Sequence, residues 1–75
     1  MNEKRLEEFQ ALEDLENALR ARKAAFLELT GKLANYERIE PIDLVLSEFE
    51  IAEKHWESAE ANVKRIAEEL RRGLR

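Results

Sequence analysis

Apolar residues recur along this chain in alternating steps of three and four. From Ile42 onward the row is Ile42, Val45, Phe49, Ala52, Trp56, Ala59, Val63, Ile66 and Leu70, with no position missed. This spacing holds one face of a helix apolar at heptad a and d positions. The first half carries a similar row, Leu12, Leu15, Leu19, Arg22, Phe26, Leu29, Leu33 and Tyr36, in which Arg22 is the one charged residue. The pattern predicts two long helices, over residues 3–37 and 41–73, with a turn at 38–41.

The break between the rows reads Glu-Arg-Ile-Glu-Pro-Ile-Asp. Pro41 lacks the N–H that a helix interior needs, but it suits a first turn. Asp43 then falls where its charge favours the positive end of the helix dipole, and Glu40 is a weak cap. Gly31 lies inside the first row. Because the row stays in phase through Leu33 and Tyr36, the first helix is expected to continue through it, at a cost of about 1 kcal/mol.

Two helices of similar length joined by a short turn fold back antiparallel. Folding about residue 39 sets Leu33 against Val45, Leu29 against Phe49, Phe26 against Ala52, Leu19 against Ala59, Leu15 against Val63 and Leu12 against Ile66. Large residues then meet small ones, which lets a core interdigitate. Arg22 falls opposite Trp56. The fold class predicted is all-α, a single coiled-coil-like helical hairpin over residues 1–75. Its expected core is Leu12, Leu15, Leu19, Phe26, Leu29 and Leu33 from the first helix, with Val45, Phe49, Ala52, Trp56, Ala59, Val63, Ile66 and Leu70 from the second.

A lone hairpin gives each helix one neighbour and buries little surface, so a second buried face is required. Ala11, Ala18 and Ala25 form a column spaced by seven beside the main row. With His55, Leu44 and Ile51 they make the predicted partner surface, and the expected assembly is a homodimer forming a four-helix bundle. Arg22, a charge within an apolar row, is expected to set register or partner choice at a cost in stability.

Composition narrows the chemistry. Charged residues make up 40% of the 75 positions and hydrophobic ones 44%, with two glycines and one proline, as in long helices rather than sheets. The net charge of −4 is spread over interspersed acids and bases, the pattern of a solvated helical surface. No cysteine is present, which excludes disulfides, thiolate metal sites and a cysteine nucleophile. No apolar run reaches the roughly 18 residues of a membrane span, so neither a membrane segment nor a leader is expected and the location read from sequence is cytoplasmic.

Di-iron bundles require inward glutamates and a Glu-x-x-His motif, but the residue three before His55 is Ala52. No glycine-rich phosphate loop or Gly-x-Ser-x-Gly elbow occurs. The sequence therefore predicts no enzyme, no cofactor, no metal and no small-molecule substrate.

The function expected is a small non-catalytic interaction or oligomerisation module whose partners are a second copy and a larger protein. Two alternatives stand beside it. One is a dimeric nucleic-acid-binding regulator using Lys4, Arg5, Arg71, Arg72 and Arg75, which would meet at the open end of the hairpin. The other is a small helical subunit of a larger enzyme complex. For His55 the simplest expectation is a half-exposed surface residue; an interface histidine sensitive to protonation is the sharper one.

Overall fold

The computed structural model describes residues 2–34 and 42–75. Helix α1 spans Glu3–Ala34 and helix α2 spans Ile42–Arg71. They pack side by side and antiparallel, so that Arg22 meets Trp56 midway along and Arg75 returns to the first turns of α1. The predicted end of the first helix, with Tyr36, and the predicted turn at 38–41, with Glu40 and Pro41, lie outside the described residues. The molecule is a rod measuring 55 × 20 × 15 Å, with a radius of gyration of 16.9 Å. A compact chain of this length would have about 11 Å.

Each described helix end has a local cause. Asn2 caps α1: its side-chain oxygen accepts the N–H of Arg5 at 2.8 Å, and its carbonyl accepts that of Leu6 at 3.1 Å. Gly31 sits inside α1 without breaking it. Helix α2 ends at Arg71, two residues before the predicted end, because Gly73 takes a left-handed φ of 71°. Around it the N–H of Gly73 bonds the carbonyl of Leu70 and that of Leu74 bonds the carbonyl of Glu69. This paired closure is a Schellman cap.

The core is narrow and built from small residues. Ala11, Val45, Ala52 and Ile66 are buried. Along α1 the side chains turned inward are Ala11, Leu15, Ala18, Arg22, Ala25 and Leu29. The core row of α1 is therefore rotated by one position from the expected one. Leu12, Leu19, Phe26 and Leu33, predicted to form the hairpin core, are 55%, 50%, 51% and 56% exposed, and Leu70 of α2 is exposed as well. Ala11, Ala18 and Ala25, predicted to face a partner, instead face α2.

The reason is steric. Ala18 lies across from Ala59, and Ala11 across from Ile66. One heptad on, register places Ala25 across from Ala52. Small residues on both helices let the backbones approach closely, and the bulky row of α1 is displaced to the side. On α2, Val45, Phe49, Ala52, Trp56, Ala59, Val63 and Ile66 all turn at least partly inward, the row expected from the sequence.

Candidate self-association face

The displaced row does not disperse over the surface. Leu12, Leu19, Phe26 and Leu33 recur every seven residues on α1, and Phe49, Trp56, Val63 and Leu70 do so on α2. Phe26 and Phe49 meet with ring centres 6.0 Å apart and planes tilted by 49°. Leu12 and Val63 line one groove with Phe9, Ile66, Ala67 and Leu70 at the open end of the hairpin. The two rows thus border the same side of the hairpin and make one long apolar face.

The opposite side is polar. Its shallow groove is lined by Asp14, Asn17, His55, Ser58 and Asn62 along with alanines. His55 lies there, exposed and on the far side from the apolar face. Leu44 and Ile51, also expected at a partner surface, are exposed on α2. Their heptad positions place them on its outer side, away from the apolar face.

Arg22 occupies the middle of the apolar face. Its guanidinium carbon is 4.9 Å from the centre of the Trp56 ring and 6.0 Å from that of Phe49. Its Nη2 approaches Glu53 Oε2 at 3.9 Å, with both side chains a little over one-third exposed. Its Nε is buried and has no acceptor within the hairpin. An unpaired buried donor costs about 1–3 kcal/mol. Sequence spacing located Arg22 and its aromatic partner. It gave no warning of Glu53, which lies outside the apolar row and turns in because α2 presents its neighbouring position to the same side.

At the open end the expected basic cluster is neutralised. Arg75, 5% exposed at its side chain, is held by Glu7, by Glu8 at 3.2 Å and by Glu69 at 3.1 Å. Arg71 and Arg72 both bind Glu68, at 2.5 and 2.9 Å. The hydrogen bond from Arg75 holds the Glu7 carboxyl below its ordinary value, and those from Arg71 and then Arg72 do the same to Glu68. Lys4 and Arg5 remain exposed, and the backbone oxygen of Lys4 accepts a long bond of 3.4 Å from Arg75. Arg71, Arg72 and Arg75 lie at this end as members of ion pairs with α1 and α2 acids. A phosphate would have to displace those acids to bind there.

Among the described residues no three His, Asp or Glu side chains converge on a point where a metal ion could sit. No helix is long and apolar enough to cross a membrane. No protein-family model matches the chain, and no curated protein and no solved structure matches it.

Proposed function

We propose that this chain is a non-catalytic self-association and interaction module, one half of a four-helix bundle completed by a second pair of helices. The observation that carries this reading is surface area. The hairpin exposes 6135 Å², whereas a folded monomer of 8.8 kDa is expected to expose about 4,800 Å². The excess, roughly 1,300 Å², is more than the ~800 Å² per partner of a standard specific interface. Leu12, Leu19, Phe26, Leu33 and Leu70, each at least 50% exposed, share one apolar face, and a solvated monomer gains nothing by exposing them together.

The polar groove side and the acidic outer flanks stay in water in such an assembly. The apolar side chains beyond the face, Leu44 and Ile51 among them, would then serve contacts with a larger protein. Sedimentation equilibrium tests the reading. A dimer at micromolar concentration, dissociated by Leu19→Glu, is the expected result; a folded monomer at 100 µM, a concentration of about 10⁻⁴ M at which even weak specific dimers form, would count against it.

A further inference from the structure

Stacking two of these hairpins face to face allows two arrangements, and they differ in what meets Arg22. With the two-fold axis along the helices, α1 of one copy lies over α2 of the other and both turns are at the same end. With the axis across the helices, α1 lies over α1, α2 over α2, and the turns are at opposite ends. The interface is isologous in either case.

From the charges on the face we infer that a second copy of this chain docks in the first arrangement, with Arg22 of each copy paired to Glu53 of the other. The inference rests on the self-association reading and adds the orientation and the residues that set it. Near the middle of the apolar face α1 contributes Arg22 and α2 contributes Glu53 beside it, while Arg5 and Glu8 border the same face at its open end. Laying α1 over α2 puts opposite charges together at the same height. Laying like helices over each other puts Arg22 towards Arg22 and Glu53 towards Glu53, and burying like charges opposite one another is penalised far more than a mismatch of apolar shape.

The shapes agree with the charges. Sharing one height, the Leu12 and Phe26 rows of one copy fall over the Val63 and Phe49 rows of the other, continuing the contact already made by Phe26 and Phe49 within one hairpin. The Arg22 side chain, a little over one-third exposed, leaves its guanidinium accessible to the arriving carboxylate. Helix dipoles do not choose between the arrangements, since in both every helix is antiparallel to both of its neighbours. The central ion pair need not add stability; its effect is to make one alignment acceptable and the other not.

Two measurements test this. The chain has no cysteine, so Glu3→Cys, at the exposed start of α1, takes a single spin label. The proposed arrangement sets the two labels across the bundle diagonal, within about 20 Å; the opposite one sets them about 45 Å apart along α1. The second measurement mixes the wild-type chain with the double variant Arg22→Glu/Glu53→Arg. In the proposed arrangement each homodimer pairs opposite charges and the mixed dimer pairs like ones, so the homodimers should be preferred by at least about tenfold; with like helices facing, the mixed dimer is preferred instead. A label separation near the length of the rod, or a statistical or mixed-dimer-rich population, overturns the inference while leaving self-association standing. A monomeric labelled chain overturns both. Circular dichroism of the charge variant confirms that it remains helical, and the label experiment does not depend on it.

Discussion

The guanidinium of Arg22 lies 4.9 Å from the centre of the Trp56 ring, and its buried Nε finds no acceptor in its own chain. A cation on an indole face gains about 0.5–1 kcal/mol, less than the ~1–3 kcal/mol that an orphaned donor loses. Arg22→Leu is therefore expected to raise the stability of the assembled protein by about 1 kcal/mol and to loosen its orientation. A urea titration followed by Trp56 fluorescence checks the first effect. A fall in the midpoint would mean that the arginine stabilises the fold outright.

The rotation of α1 can be tested by two neighbouring residues. Ala11 is 3% exposed in the seam beside Ile66, whereas Leu12 is 55% exposed on the apolar face. Ala11→Leu must push the helices apart and is expected to cost about 1–3 kcal/mol. Leu12→Gln should leave the helical hairpin formed and weaken association instead. If Ala11→Leu were neutral and Leu12→Gln unfolded the chain, the seam would have to run along the larger residues.

The two glycines should respond with opposite signs. A Cβ on Gly31 would meet nothing within 4 Å and the backbone there is helical, so Gly31→Ala is expected to stabilise α1 by about 0.5–1 kcal/mol. Gly73 has equal space around it but a φ of 71°. Gly73→Ala should cost roughly 1 kcal/mol through the left-handed backbone alone, and it should also loosen Arg75. Thermal melts of the two variants make the comparison.

Acid should release the open end. Glu7 and Glu68 are held below their ordinary value of 4.5 by arginine hydrogen bonds in the folded chain. A carboxyl with a depressed folded pKa contributes stability that is complete above its unfolded pKa and is lost as pH falls through the folded one. The melting temperature should therefore hold on the alkaline side of about pH 4.5 and fall below it. Arg75→Ala should lower it at neutral pH and flatten the acid limb, because Glu7 then returns towards its ordinary value. An acid limb unchanged by that substitution would place the pH dependence elsewhere.

Much of the architecture is present in the order of residues. The three-four steps of Ile42 to Leu70 make α2 an amphipathic helix with one available inner face, because its other positions are largely charged. Pairing Arg22 with Trp56 follows from folding the chain about residue 39. The caps at Asn2 and Gly73 were not read from the sequence, which carried the second helix through 73, although asparagine favours helix starts and glycine the position just past helix ends.

The rotation of α1 was not legible, and the reason is physical. Two rows, Ala11-Leu15-Ala18-Arg22-Ala25-Leu29 and Leu12-Leu15-Leu19-Arg22-Phe26-Leu29, have the same period and share three residues. Sequence favours the row with more apolar volume. Packing favours the row that lets two backbones approach, and that depends on what the facing helix presents, here Ala59 and Ala52. Only the tertiary structure decides between them. In deciding, it moves the large residues onto one side, places Glu53 beside Arg22, and leaves most of the predicted core row of α1 exposed.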